Sequence, residues 1–407
     1  MSEVRIESLV NEFAWLLLGA VVVGIVAQRI RIPYAVALVV VGLVVEETHI
    51  VSVPEIEPGL LLFAFLPPLL FDAAFRLEAR ELRVVLRPVL WLAVPGVLLT
   101  AALVGGATWL LLGVPLGSAL LLGSIVAATD PVAVVAVLKS LNAPHRIAVI
   151  PEAESLINDG MAITLYTALI GYAVTGHIRA SEVVELFGRE VIGGIAIGAV
   201  LAFVVSRVTA TIDDHPLVMM LSTVLAYGSY LVAHEVHASG PLACVAAGFI
   251  HGSYGRSIGM SPRTSRLLDD LWEYLGFVAN AIVFLLVGFT VHASDLLDEA
   301  WAVSVAVVAV LLARFGVVYL TRLVTPAGAA IASGERLVVV WAGLRGALTI
   351  ALALALPAAT PGRDLLIAMA FGIVLFTLVV QGLTLPLLVR RVGLTRSAEK
   401  PAAGRAY

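Results

Sequence analysis

The feature of this sequence that most limits its fold is a repeated apolar stretch of about 20 residues, the length that an α-helix needs to cross a bilayer. A scan of the chain finds about thirteen such stretches, at 12–28, 33–48, 58–77, 88–112, 115–139, 147–174, 184–206, 216–234, 238–252, 270–292, 300–322, 336–358 and 364–390. Of the 407 residues, 60% are hydrophobic and only 13% are charged, whereas soluble domains carry roughly 25% charged residues. The sequence therefore predicts an all-α polytopic membrane protein with about 13 transmembrane helices, numbered below as spans 1 to 13.

The positions of lysine and arginine predict the orientation, because cytoplasmic loops are enriched in these residues. With the N-terminus outside, most of the 25 Lys and Arg residues fall on the inner side, including Arg76, Arg80, Arg83 and Arg87. If the number of spans were wrong by one, these basic residues would be spread over both sides of the membrane. We expect an outside N-terminus, a cytoplasmic C-terminus and a short cytoplasmic tail at 392–407.

Several function classes are disfavoured by the sequence. A net charge of −4 indicates no nucleic-acid footprint, and the single Cys244 excludes an intrachain disulfide or a cysteine-based zinc site. No Walker A motif is present, and "HEVH" at 234–237 lacks the i, i+4 histidine spacing of a zinc protease. The small-residue run "GGIAIG" at 193–198 predicts close packing at a helix–helix or dimer interface.

Ionisable residues inside the spans are the first candidates for function, because a charge near the bilayer centre costs roughly 2.5–3.5 kcal/mol on insertion scales. Those inside the spans are Asp72, Asp130, Glu154, Asp159, Arg314 and Arg345. Asp130 is followed by Pro131, which has no N–H and pushes the preceding residue out of the helical region. A proline kink alone would not need the aspartate, so we predict an interrupted helix at 128–130, as in the ion sites of many secondary transporters.

Span 6 contains "PEAESLINDG", which places two polar pairs on neighbouring faces of one helix. Ser155 and Asp159 offer a hydroxyl and a carboxylate, which suit a small hard cation. The other pair is Glu154 and Asn158, and at this depth Glu154 needs a positive partner. We expect Arg345 in span 12 to be that partner, in an ion pair that is architectural rather than a direct carrier of protons or cations.

Two ionisable residues remain open at this point. Asp72 follows the pair Pro67 and Pro68, which should bend span 3, and the carboxylate could be an extra ligand, a gate, an entrance charge or an interfacial residue. Arg314 in span 11 could pair with an acid or extend to the lipid headgroups.

Four stretches together resemble the monovalent cation/proton antiporters of the NhaP/NHE (Na⁺/H⁺ exchanger) type. They are "FLPPLLFDAAF", "AATDPVAVVAVL", "ESLINDG" and "GLRGAL", in this order from span 3 to span 12. The resemblance implies two inverted six-helix repeats, spans 1–6 and 8–13, with broken crossing helices 5 and 12. It also implies a homodimer whose interface domain comprises 1–87 and 175–297, and a mobile core transport domain that comprises 88–174 and 298–391.

The resemblance also assigns the site. Asp159 is then the main cation and proton carboxylate, and Asp130, Ser155 and Thr129 complete the Na⁺ site. Asn158, the asparagine of the Asn-Asp pair, is counted with them as a cation- and proton-binding residue and implies electroneutral exchange. Glu154 with Arg345 matches the ion pair of the family.

The implied function is secondary active exchange of Na⁺, or of Li⁺, for H⁺ by alternating access, with no cofactor and no enzyme activity. The same fold could serve a K⁺/H⁺ antiporter, and a cation channel or an intramembrane enzyme are alternatives of other classes. Membrane lipid, Na⁺ and protons are the expected partners, with no nucleic acid, and the expected location is the plasma membrane of a prokaryote.

Overall fold

The computed structural model describes residues 3–30, 32–48, 59, 61–177, 180–290, 293–325 and 331–394. Within these ranges the chain is helical apart from short connections, as the apolar stretches predict. The predicted tail lies outside the described residues from position 395 onward.

The first half of the chain begins with long helices and then contains a broken one. Its α-helices are α1 Glu3–Ile30, α2 Tyr34–Thr48, α3 Leu66–Arg76, α4 Ala79–Ala93, α5 Pro95–Leu112, α6 Leu116–Ile125, α7 Val132–Ser140, α8 His145–Thr175 and α9 Ala180–Thr209. A π-helical segment, Leu61–Phe65, runs directly into α3. Pro67 and Pro68 stand in the first turn of α3, directly after this π-helical segment.

The second half repeats this alternation of long and interrupted helices. Its α-helices are α10 His215–Glu235, α11 Gly240–Ile250, α12 Arg256–Gly259, α13 Pro262–Phe289, α14 Ala293–Asp298, α15 Ala300–Val324, α16 Ser333–Trp341, α17 Ala347–Leu354, α18 Arg363–Phe376 and α19 Gly382–Arg391. π-helical segments join α11 to α12 at His251–Gly255 and α18 to α19 at Thr377–Gln381.

The lengths of the helices agree with a membrane protein. Seven helical segments of the described residues are long and apolar enough to cross a bilayer by length and composition. Every one of the predicted apolar stretches overlaps at least one helix. The number of thirteen spans and the two inverted repeats stay predictions.

The interruption predicted in span 5 is present, and span 12 is interrupted as well. α6 ends at Ile125 and α7 begins at Val132, while α16 ends at Trp341 and α17 begins at Ala347. The two interruptions, 126–131 and 342–346, lie against each other, because the backbone N–H of Asp130 donates to the carbonyl of Leu344 at 2.8 Å. We call these two segments the paired breaks.

The helices near the paired breaks pack in two sets. α5 packs against α6 and α15, α6 packs against α8, and α15 packs against α18. A second set of contacts joins α3 to α11 and α13, α2 to α13, and α9 to α11. The paired breaks lie between these two sets of helices, because residues of α3 and α13 form one wall of the cavity described below.

The small-residue run at 193–198 packs within the chain, against the start of α11. A Cβ atom on Gly198 would lie 2.0 Å from the carbonyl oxygen of Ala243, and one on Gly194 would lie 2.5 Å from that of Ser239. No L side chain fits at that distance from a backbone atom. Of the two predicted uses of this run, the structure shows the helix–helix contact.

We expect Gly198→Ala to lower the free energy of unfolding by about 1–3 kcal/mol, because the added methyl group forces α9 away from α11. The matched control is Gly188→Ala on the same helix, where a Cβ atom meets nothing within 4 Å and alanine favours the helix by up to roughly 1 kcal/mol. Thermal melting of both purified variants in detergent measures the difference. Equal melting temperatures for the two variants would contradict the packing.

Candidate functional site

A cavity of about 110 Å³ lies beside the paired breaks. Its walls come from α3, the break between α6 and α7, α8, α13 and the start of α17. Five of the predicted site residues line it, namely Asp72, Thr129, Asp130, Ser155 and Asp159. The cavity is therefore the place where the residues singled out in spans 5 and 6 meet.

The Asp130 carboxylate bonds to the backbone of the first break and contacts the backbone of the second break. Its carboxylate Oδ1 accepts a hydrogen bond from the N–H of Val132 at 2.9 Å, which satisfies a free donor at the start of α7. Its Oδ2 lies against Gly346, where a Cβ atom would come within 2.1 Å of it. Only glycine allows the backbone of the second break to approach this carboxylate so closely.

Polar side chains of α8 anchor the same break through Thr129. The Ser155 hydroxyl donates to the Thr129 carbonyl at 2.5 Å. The Asn158 amide donates to the Thr129 hydroxyl at 2.7 Å, and the Thr129 N–H donates back to the Asn158 Oδ1 at 3.4 Å. Asn158 thus positions Thr129 and is not part of the cavity wall.

Asp159 differs from its neighbours because one of its carboxylate oxygens has no partner. Oδ1 is buried, and no hydrogen bond reaches it from the described part of the chain. Asp130 faces it across the same cavity. An ionised carboxylate in such a place is costly unless a positive charge compensates it. A proton or a small cation bound in the cavity would supply that compensation.

The ion pair of Glu154 corrects one prediction, because its partner is Arg314 and not Arg345. The guanidinium of Arg314 binds the carboxylate with both terminal nitrogens, Nη1 to Oε1 and Nη2 to Oε2, the latter at 2.9 Å. Nη2 also donates to the carbonyl of Val339 at 3.1 Å. Gly343 makes room for this side chain, since a Cβ atom there would lie 2.8 Å from Arg314 Nε. Of the two options left open for Arg314, pairing with an acid is therefore the one found.

Arg345 is a second buried guanidinium beside the site. It is 1% exposed, and its backbone N–H donates to the Thr377 hydroxyl at 3.0 Å. Its Nε and Nη1 find no hydrogen-bond partner among the described residues. The group lies within electrostatic range of both Glu154 and Asp159. Arg345 therefore adds a positive charge near the cavity without forming the predicted bonded pair.

Asp72 reaches the cavity from the opposite wall. Its Oδ1 accepts a hydrogen bond from Arg76 Nε at 2.6 Å, and Arg76 Nη1 also donates to Glu273 at 3.1 Å. A Cβ atom on Gly276 would lie 2.8 Å from the Asp72 Oδ2, so the carboxylate is pressed against α13. Asp72 is thus a lining residue whose charge is already paired.

Two polar lining residues escaped the sequence analysis, Asn280 on α13 and Thr349 on α17. Each is the single uncharged polar residue in an apolar run, "VANAIVF" for Asn280 and "GALTIALAL" for Thr349. Neither side chain is ionisable, so the cost of a buried charge does not single out either residue. An amide within span 10 was the signal that could have pointed to Asn280.

Comparison with known proteins assigns the chain to a family. Residues 17–391 match the family described as sodium/hydrogen exchanger, transmembrane. The chain is 37% identical to the Na⁺/H⁺ antiporter NhaH of Halobacillus dabanensis over 93% of this chain and 97% of that protein. It is 38% identical to the Na⁺/H⁺ antiporter ApNhaP of Aphanothece halophytica over 89% of this chain and 70% of that protein. The chain belongs to the sodium/hydrogen exchanger family, and its predicted family is confirmed.

The fold is similar to a solved structure of this kind. The sodium proton antiporter MjNhaP1 from Methanocaldococcus jannaschii at pH 8 superimposes with a TM-score of 0.79 at 20% identity, covering 95% of this chain and 99% of that chain. This match confirms the predicted class of fold, an all-helical polytopic membrane protein.

We expect Arg314→Ala to lower the free energy of unfolding by about 3–5 kcal/mol, because it leaves the Glu154 carboxylate buried without a partner. Arg345→Ala is the matched control, since it removes another buried guanidinium, one that bonds no carboxylate of the described residues, and we expect a smaller loss of stability. Thermal melting of purified variants in detergent measures both.

The double variant Glu154→Gln with Arg314→Ala should regain part of the lost stability, because no buried charge is then stranded. A larger loss for Arg345→Ala than for Arg314→Ala would contradict the assigned pair.

Proposed function

We propose that this chain is a secondary active transporter that exchanges Na⁺ for H⁺ across the membrane. The observation that carries the proposal is the unpartnered Oδ1 of Asp159 in a cavity beside the paired breaks. The names of the similar proteins, Na⁺/H⁺ antiporters from several bacteria, support it.

Competition for Asp159 couples the two fluxes. In a cavity with little water, the charged carboxylate is disfavoured, so a proton or a Na⁺ ion neutralises it and each excludes the other. With either one bound, the site is close to neutral and can pass through the apolar barrier. An empty site carries an uncompensated charge, which opposes the same movement. Exchange then needs no ATP.

The charges buried around the paired breaks support one-for-one exchange. Three carboxylates, Asp130, Glu154 and Asp159, lie there with two guanidinium groups, Arg314 and Arg345. When all five groups are ionised, one negative charge remains. One Na⁺ or one proton cancels it, so the loaded site has the same net charge in both directions.

The Na⁺ ligands in this proposal are Asp159, Asp130, Ser155 and Thr129. The hydroxyl hydrogen of Ser155 points to the Thr129 carbonyl, which leaves the lone pairs of the Ser155 oxygen free for a cation. Oxygen ligands of this kind suit small hard cations. Asp72, held by Arg76 on the opposite wall, is an entrance charge or gate for the same cavity.

Alternating access requires one wall of the cavity to move against the other. We assign the moving core to 88–174 and 298–391, and the interface domain, through which a homodimer forms, to 1–87 and 175–297. The cavity supports this division because α3 and α13 form one wall while the paired breaks, α8 and α17 form the other. The proposed location is a prokaryotic plasma membrane, with the N-terminus outside and the C-terminus cytoplasmic.

The decisive experiment places the purified protein in liposomes that contain a trapped pH dye, with equal pH on both sides. Added external Na⁺ should make the interior alkaline, because each Na⁺ that enters carries a proton out. Asp159→Asn should reduce the response to that of protein-free liposomes, whereas Asp364→Asn, which changes a carboxylate whose side chain is 98% exposed, should leave it unchanged.

No alkalinisation with Na⁺ would contradict the proposal. A response to K⁺ in place of Na⁺ would indicate a K⁺/H⁺ antiporter, and Na⁺ entry without proton movement would indicate a channel.

The stoichiometry is tested in the same liposomes with the membrane voltage clamped by K⁺ and valinomycin. If one Na⁺ exchanges for one proton, no net charge moves, so the initial rate of alkalinisation should be the same at about 0 and about −100 mV. If the rate instead changes severalfold with voltage, the stoichiometry is unequal. Each net charge moved per cycle would then be driven by roughly 2.3 kcal/mol per 100 mV.

A further inference from the structure

Threonine hydroxyls within helices of this chain commonly bond to a carbonyl of the preceding turn. Thr108 donates to the carbonyl of Val104 at 2.8 Å, and Thr164 donates to that of Gly160 at 2.8 Å. This local bond is the usual way in which a buried helical threonine satisfies its hydroxyl.

Thr349 cannot make this bond, because it lies in the first turn of α17. The helix begins at Ala347, so the carbonyls three and four positions earlier belong to the second of the paired breaks. The residue is 1% exposed, and its hydroxyl oxygen has no hydrogen-bond partner in the described part of the chain. A buried hydroxyl without a partner costs free energy, so a partner absent from the polypeptide itself is expected.

The unsatisfied hydroxyl stands at the same cavity as the unsatisfied carboxylate. Thr349 and Asp159 both line the space of about 110 Å³, Thr349 from α17 and Asp159 from α8. Two residues that each carry a polar atom without a partner in the described part of the chain, Thr349 Oγ1 and Asp159 Oδ1, thus line one small volume. A single small cation could bind both oxygens.

We propose that the hydroxyl oxygen of Thr349 is a ligand of the transported Na⁺ and discriminates Na⁺ from K⁺. This inference rests on the proposed function and adds one ligand to its site. The branched side chain of threonine has few rotamers, so the oxygen is held at a set distance from the carboxylates. Removal of this ligand leaves a looser site, and selectivity between cations depends on cavity size, ligand number and flexibility.

The position of α17 places this ligand with the other ligands. Gly346, immediately before α17, contacts the Asp130 carboxylate, and the paired breaks are joined by the bond from Asp130 to Leu344. Thr349 therefore belongs to the same packed unit as Asp130. In the proposed cycle the hydroxyl moves together with the carboxylates and remains a ligand of the ion in both the inward-facing and the outward-facing state.

The test compares Thr349→Val, which keeps the shape and removes the hydroxyl, with Thr349→Ser, which keeps the hydroxyl. Thr164→Val is the matched control, because it removes a buried hydroxyl that is already bonded within its own helix. Exchange is measured in liposomes over a range of Na⁺ and of K⁺ concentrations. Thr349→Val should raise KM for Na⁺ about tenfold, as expected for the loss of one ligand to a charge. The change in kcat should be smaller than the change in KM. KM for K⁺ should rise less than KM for Na⁺. Thr349→Ser and Thr164→Val should stay close to the unsubstituted protein.

A second measurement keeps the inference testable when transport is lost. Na⁺ that binds the folded protein raises its melting temperature in a concentration-dependent way, and Thr349→Val should need about tenfold more Na⁺ for the same rise. If this variant does not fold, Thr349→Ala is titrated in its place with the same expectation.

An unchanged KM and an unchanged Na⁺ titration would overturn the inference, as would an effect on kcat alone. Absence of Na⁺-driven proton movement in the unsubstituted protein would instead overturn the proposed function itself.

Discussion

The contact between two interrupted helices is the constraint on which the rest of the structure depends. Backbone N–H and C=O groups released by a break cannot remain unsatisfied at membrane depth. The bond from Asp130 N–H to Leu344 O satisfies one group of each break. Side chains of neighbouring helices satisfy others, with Ser155 and Asn158 bonded to Thr129 and Thr377 bonded to the N–H of Arg345. The breaks persist because each neighbouring element supplies a specific partner.

The electrostatics of the site follow from the same packing. Arg314 is neutralised by Glu154, with both side chains buried, so this pair links α8 to α15 and leaves no net charge. Within the described ranges, Arg345 bonds no carboxylate, and the Oδ1 of Asp159 has no hydrogen-bond partner. With Asp130, Asp159 and Arg345 all ionised, one negative charge remains beside the cavity, and one positive charge bound there would balance it. In our proposal this missing charge is the transported ion or proton.

Much of the site could be predicted from the sequence, and the parts that could not share one cause. The Asp-Pro pair at 130 and 131 predicted the first break, and the i, i+4 spacing of Ser155 and Asp159 predicted two cavity residues, because both are local relations within one helix. The choice between Arg314 and Arg345 as the partner of Glu154 depended on which guanidinium reaches the carboxylate, and Gly343 leaves the room that Arg314 needs to do so. The importance of Thr349 depended on where α17 begins.

The sequence by itself determined that the chain is helical and apolar enough for a membrane, where its charges lie along each helix, and where one helix must break. Hydrophobic length, helical periodicity and the missing N–H of proline are properties of short segments, so no other part of the chain can change them. Only the tertiary structure decided which buried charge meets which, that Asn158 holds Thr129 while Asp159 lines the cavity, and that the Thr349 hydroxyl finds no hydrogen-bond partner among the described residues. Those outcomes depend on distances between residues far apart in the chain, which are set by the packing of whole helices.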